Sequence, residues 1–285
     1  METKRIAITG ATSGIGKQAA LELSKMGHEI IMFNRNPGKT EKTIIDIKKE
    51  SGNDKFDFFH CDLAEFDSVM NAARKFNEKY DDLDVLINNA GLLAGNRHET
   101  PDGNELTLQV NHLSHFMLTK LLLDKLKNGG ESRIINVSSD AHLRANKIPW
   151  DDFQLEKRYE KWYAYGLSKM YQIHFTYLLD EELDESNVKV FAMHPGFADT
   201  GFGNSSTKFW SWLLKLLKPF KISVEKGAET LVWLVYSDDD KIESGKYYYK
   251  NEKKMPSKQA RNMVIAKRVW EISEELTGVS YNESK

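Results

Sequence analysis

Six short, nearly continuous apolar runs alternate with longer amphipathic ones, and this alternation leaves the chain few folds to choose from. Residues 4–9, 29–33, 55–60, 83–87, 133–137 and 188–193 read as strands. Helices are expected over 17–26, 37–50, 65–79, 105–126 and around Tyr165. Strands that are apolar on both faces and separated by helices imply a parallel sheet covered on both sides. The expected fold is therefore α/β, a doubly wound parallel sheet flanked by helices. No repeat, low-complexity tract or linker divides the sequence, so residues 1–285 are expected to form a single domain. Ligands of such sheets bind beyond the carboxyl ends of the strands, near the point where strand order reverses. Thr9, Arg35, Asn89 and Ser139 all fall just after predicted strands.

The first strand and helix are joined by Thr9-Gly10-Ala11-Thr12-Ser13-Gly14-Ile15-Gly16, the strand–glycine turn–helix context of a dinucleotide site. Gly10 permits the tight turn, Gly14 lets backbone approach a pyrophosphate, and Gly16 allows close helix–strand packing. Free N–H groups at the helix start would bind the anion. The sheet is thus expected to be Rossmann-type. About 150 residues later, Tyr165 and Lys169 stand four apart, on one face of a helix. A free phenol, with a pKa of about 10, is a poor acid or base at neutral pH. A nearby ammonium favours the phenolate, so Lys169 is expected to lower the pKa of Tyr165 and fit it for proton exchange with an alcohol or carbonyl oxygen. A nucleotide site and a proton-transfer pair together suggest hydride chemistry.

Composition bounds the alternatives. A chain that is 40% hydrophobic and 29% charged can bury one large core, and its net charge of −2 gives no reason to expect nucleic acid. The single cysteine, Cys61, rules out an internal disulfide and suits a reducing compartment. His112 and His115 share a helix face without a third ligand in view, so no metal site is expected. The first strand begins almost at once and no apolar run reaches ~18 residues, so the expected location is cytoplasmic, with surface contact to a membrane left open.

In Thr9-Gly10-x-x-x-Gly14-x-Gly16, Asp62-Leu63, Asn88-Asn89-Ala90-Gly91, Asn111, Ser139, Tyr165-x-x-x-Lys169 and Pro195-Gly196, the chain resembles the short-chain dehydrogenase/reductase family over essentially its whole length. Within it, Val110 to Phe116, Asn136 to His142, His194-Pro195-Gly196 and the tail from Gln259 to Trp270 are most similar to the retinol dehydrogenase branch. The resemblance implies an oxidoreductase in which Tyr165 is the acid in reduction and the base in oxidation. It implies that Ser139, rather than Ser138, donates a hydrogen bond to the substrate oxygen. Lys169 would bind the nicotinamide ribose, and Asn111 would hold a water linked to Lys169. The implied cofactor-binding set is Gly10, Thr12, Ser13, Gly14, Ile15, Gly16, Arg35, Asp62, Leu63, Asn89, Ala90, Gly91, Tyr165, Lys169, Pro195 and Gly196. NAD-preferring sites place an acid at the end of the second strand; here Asn34 stands there and Arg35 follows, which favours NADP(H) over NAD(H). Against this, Ser13 occupies a position before the second glycine that is basic in some NADP enzymes of the family.

Two regions bear on the substrate. The interval from Ser139 to Tyr165 is 26 positions, and the insertion 140–164 carries Trp150, Phe153, Tyr159, Trp162 and Tyr163, either to shape a substrate mouth or to pack on the domain. Residues 197–222 match the family's lid, and within them 208–221 reads as an apolar helix edged with Trp and Lys. That helix suits a cover over a lipophilic alcohol, aldehyde or ketone, or a peripheral membrane contact. A homodimer through Ala164 to Glu185 is implied by analogy with the family. The competing reading is a nucleotide-sensing interaction protein with little turnover, and among enzymes a double-bond reductase of the protochlorophyllide reductase type. Asp238-Asp239-Asp240 is expected to be a solvated turn, and the tail from Lys250 an exposed loop followed by a helix.

Overall fold

The computed structural model describes residues 2–196 and 223–281. Strands β1 (Arg5–Thr9), β2 (Glu29–Asn34), β3 (Phe56–His60), β4 (Val85–Asn88), β5 (Ser132–Val137), β6 (Val188–Met193), β7 (Lys246–Tyr249) and β8 (Glu252–Lys254) form one sheet in the order β3-β2-β1-β4-β5-β6-β7-β8. All neighbours are parallel except β7 and β8. The order reverses at β1, which pairs with β2 on one side and β4 on the other, so the crevice expected of a doubly wound sheet opens at Thr9 and Asn88.

Alternation along each strand divides the core into two layers. Ile6 and Ile8 pack with α1 (Gly14–Lys25), α2 (Pro37–Ser51) and α7 (Val224–Tyr236). Ala7 faces the other layer, built with α3 (Phe66–Lys79), α5 (Ser114–Asn128), α6 (Lys161–Glu182) and α8 (Met263–Thr277). On that side α8 lies across α6 and α5. Trp270 meets Phe116 at 5.0 Å and Phe175 at 5.9 Å, and Tyr281 closes over the same rings. The helix to which a dimer contact was assigned is therefore partly covered by its own chain.

Three features differ from the sequence reading. The start of the tail from Lys250, expected as an exposed loop, instead forms β8, paired with β7, whose Lys246-Tyr-Tyr-Tyr249 is short and carries no apolar alternation. The helix expected over 105–126 is broken into α4 (Leu106–Leu108), a π turn at Gln109–Leu113 and α5. Asp239 is not merely solvated. Arg133, buried in β5, donates to the carbonyls of Leu234 and Ser237 at the end of α7, each at 2.7 Å, and to Asp239 Oδ1 at 3.0 Å. Lys189 pairs with the other oxygen of Asp239.

Partial burial alone would raise the Asp239 carboxyl, but Lys189 and Arg133 outweigh it and hold it below the usual range. A depressed folded pKa stabilises above the unfolded value of about 3.9 and is lost as pH falls through the folded one. Asp239→Ala is expected to cost about 1–2 kcal/mol at pH 7, a figure discounted for its partial exposure. Thermal melts of the two proteins should begin to converge as pH falls below about 4 and meet only below the folded value; a gap that persists there would mean that the pairing is not its source.

Candidate active site

The glycine turn after β1 is fixed from the β4 side. The backbone N–H groups of Asn89 and Ala90 both donate to Thr9 Oγ1 at 2.9 Å, and Asn89 Nδ2 donates to the Thr9 carbonyl at 2.8 Å. Gly10, at φ +68°, passes so close to Ala90 that an added Cβ would lie 2.9 Å from its Cα. A Cβ on Gly16 would lie 2.4 Å from Asn89 Nδ2 and 2.7 Å from the Gly10 carbonyl. Beyond the turn, α1 starts from an extended Ser13 whose side chain makes no cap, and no acid stands in its first turn. The N–H groups there have no intrahelical acceptor, which leaves a cradle suited to an anion. Thr12 is half-buried beside it, Ser13 exposed and Ile15 buried.

At the end of β2, Asn34 is buried and its Oδ1 accepts from Ala11 N at 2.9 Å, so it braces the glycine turn. Arg35 projects outward, its side chain 73% exposed, with Nε 3.9 Å from Asp62 Oδ2. Asp62 Oδ1 also receives Ala64 N at 3.0 Å, and Leu63 is buried with its carbonyl bonded to Ser114 Oγ at 2.6 Å.

The structure separates the two serines after β5. Ser138 is buried and its hydroxyl donates to the Lys169 carbonyl at 2.7 Å. Ser139 Oγ accepts from Ala141 N at 3.2 Å and hydrogen-bonds Tyr165. Lys169, one turn along α6, is buried, with Nζ 5.7 Å from the Tyr165 ring centre and donating to the Val137 carbonyl at 2.7 Å. Burial pushes the Tyr165 phenol up to about 12, with the Ser139 hydrogen bond offsetting only part of this. This corrects the expectation that Lys169 lowers it. In the protein alone the ammonium is spent on Val137, and burial holds its own pKa down at about 8.

Asn111 lies in the π turn, so its side chain leaves the helix surface and clamps the loop after β4. Its Oδ1 accepts from Leu92 N at 2.8 Å, and its Nδ2 donates to the Leu92 carbonyl at 2.9 Å and to Ser168 Oγ at 3.0 Å. An added Cβ on Gly91 would sit 3.3 Å from both Asn111 Oδ1 and Lys169 Nζ, so these two groups converge there. The Asn111 carbonyl, freed by the π turn, is taken by Gln172 Nε2 and His115 Nδ1. These are protein partners for the group expected to hold a water.

Sequence reasoning undervalued the histidines. His115 joins the two halves of the site, with Nε2 3.0 Å from Thr9 Oγ1 and Nδ1 3.1 Å from the Asn111 carbonyl. Its spacing of four from Asn111 was the available signal. His142 Nδ1 donates to the Ser139 carbonyl at 2.7 Å while Nε2 accepts from Ser257 N at 3.1 Å. Among the described residues no His/Cys/Asp/Glu cluster is arranged to hold a metal ion. Most insertion aromatics pack on the domain: Phe153 stacks on Tyr171 at 5.3 Å, and Trp150 sits under Arg268. Trp162 alone reaches the site, edge-on to Tyr165 at 6.3 Å. Gly196, at φ +77°, turns the chain after β6 beside the half-buried Pro195; the segments 197–222 and 208–221 lie outside the described residues.

Residues 4–209 match the short chain dehydrogenase family. Human retinol dehydrogenase 13 is 39% identical, over 97% of this chain and 85% of its own length. Human retinol dehydrogenase 12 is 36% identical, over 98% of this chain and 87% of its own. A crystal structure of a Mycobacterium paratuberculosis protein superposes with a TM-score of 0.80 at 28% identity, covering 98% of this chain and 95% of that one.

Proposed function

Because the chain belongs to the short chain dehydrogenase family, and is thus an oxidoreductase resembling the retinol dehydrogenases, we propose that it moves hydride between NADP(H) and a lipophilic alcohol, aldehyde or ketone, with Tyr165 exchanging the proton. The observation that carries this reading is the hydrogen bond between Ser139 and Tyr165 at the carboxyl edge of the sheet, one helical turn from buried Lys169. The nicotinamide, when bound, gives or takes the hydride.

The remaining steps belong to the chain. Ser139 Oγ already accepts from Ala141 N, so its proton is left to donate, to Tyr165 or to a substrate oxygen gaining charge. A phenol raised to about 12 is protonated at neutral pH and starts as an acid, which suits reduction. Lys169 is placed to stabilise the phenolate left behind, and Asn111 to hold the Gly91–Leu92 backbone beside it. The uncapped start of α1, with Gly10, Thr12, Ser13, Gly14, Ile15 and Gly16, would hold the pyrophosphate. Asp62, Leu63, Asn89, Ala90 and Gly91 would line the adenosine side, and Pro195 and Gly196 the nicotinamide end.

NADP(H) preference is argued from Arg35, whose exposed guanidinium can meet a 2′-phosphate while buried Asn34 offers no carboxylate to a ribose hydroxyl. A lipophilic substrate is argued from the relatives named as retinol dehydrogenases and from Trp162 beside Tyr165. Among the described residues no helix is long and apolar enough to cross a membrane; contact through 208–221 is proposed as peripheral.

The test is NADPH and NADH oxidation over carbonyls from small and polar to long-chain, aromatic and retinoid, with Arg35→Ala alongside. Losing a charge-assisted contact should raise KM for NADPH about 10–100-fold and leave NADH nearly unchanged. Equal effects on both nucleotides would remove Arg35 from cofactor choice. Tight nucleotide binding with no turnover on any substrate would favour the nucleotide-sensing alternative.

A further inference from the structure

His194 directly follows β6 and is almost wholly buried, yet both of its ring nitrogens have partners, from two different loops. Nδ1 accepts from Gly196 N at 3.2 Å, and Nε2 stands 3.2 Å from Asp140 Oδ1. Since Nδ1 is an acceptor, the proton sits on Nε2 and is donated to Asp140. The ring is neutral: burial, with His142 nearby, outweighs Asp140 and holds its pKa at about 4. Its orientation is fixed by stacking on Tyr249 at 4.0 Å and on Tyr247 at 5.5 Å, both from β7. On the other side, Asp140 directly follows Ser139, whose carbonyl is held by His142.

We infer that His194 is a positioning residue, a strut that braces the Pro195–Gly196 turn after β6 against the Ser139–Asp140 loop after β5. Its functional meaning rests on the reading of Ser139, Pro195 and Gly196 as site residues. The strut keeps the hydrogen-bond donor at one wall of the site in register with the turn at the other. A side chain that lost either contact would let the two loops drift independently while β5 and β6 stayed paired.

The experiment compares wild type with His194→Phe, Asp140→Ala and Asp140→Asn. Phenylalanine keeps the stacking on the tyrosines and removes both polar contacts; asparagine at 140 keeps an acceptor for Nε2. Amide exchange at Gly196, read without nucleotide, should rise about tenfold in His194→Phe and several-fold in Asp140→Ala, and stay near wild type in Asp140→Asn. NADPH dissociation constants, read by tryptophan quenching, should follow the same order. The Asp140 side chain is 62% exposed, so both Asp140 variants should melt within about 2 °C of wild type. Unchanged Gly196 protection in His194→Phe, or an Asp140→Asn variant as impaired as Asp140→Ala, would overturn the strut. A wild type that binds neither nucleotide would instead defeat the functional reading, and the exchange data would still decide for or against the strut.

Discussion

Tyr165→Phe is expected to lower turnover by about 10³-fold on every carbonyl substrate that wild type reduces, within the range for loss of a positioned general acid. NADPH affinity should change by no more than about twofold, because the ring and its packing against Trp162 survive the substitution. The geometry explains the asymmetry. Only the hydroxyl is removed, and it is the group that hydrogen-bonds Ser139. Lys169 keeps its bond to Val137, and Ser139 keeps Ala141, so the surroundings have no reason to collapse. The pH dependence is a second check. In the protein alone burial holds Lys169 at about 8, so the charge that stabilises a phenolate is lost as pH rises through that value. Activity in the reductive direction should therefore decline above about pH 8 in wild type. Residual turnover in Tyr165→Phe within tenfold of wild type would give the proton to another group.

Gly16→Ala should damage both the fold and the nucleotide cradle. A methyl group there meets Asn89 Nδ2 at 2.4 Å and the Gly10 carbonyl at 2.7 Å. Asn89 can rotate away, but it would surrender its bonds to the Thr9 and Gly10 carbonyls. The Gly10 carbonyl is backbone in a left-handed turn and cannot yield without moving the whole phosphate cradle. Overpacking of this kind costs about 1–3 kcal/mol, and distortion of the cradle adds a loss of nucleotide affinity of at least about tenfold. Calorimetry of NADPH binding and a thermal melt would read the two effects separately. A variant that binds NADPH as wild type does would show that α1 can shift outward without disturbing the turn.

The sheet and its site were legible to different depths for physical reasons. Strands buried on both faces, such as Ile30 to Phe33, announce themselves by composition, and all six expected strands are present. Tyr165 stood out by its spacing from Lys169 and Ser139 by the resemblance to the family, and the fold brings these two side chains together. The electrostatics were not legible, because spacing on a helix shows that Lys169 can approach Tyr165 and not that Val137 takes its proton donor. Nor were the roles of His115, His142 and His194, whose other ring nitrogens meet Thr9 Oγ1, Ser257 N and Asp140 Oδ1, groups brought near only by the fold. The π turn was invisible for a related reason: one extra residue in a helix leaves the apolar pattern of 105–126 nearly intact.

The rims of the sheet are guarded unequally. One rim is β8, three residues long, antiparallel and carrying Lys253 and Lys254, so a second chain laid alongside would meet like charge and a very short ladder. The other rim is β3, with Phe56, Phe58 and Phe59, where Lys79 and Tyr80 reach across to Asp57 from the end of α3. Those two side chains act as gatekeepers of an otherwise sticky margin. Colloidal behaviour on heating should then follow fraying of α3, at the rim opposite β7 and β8.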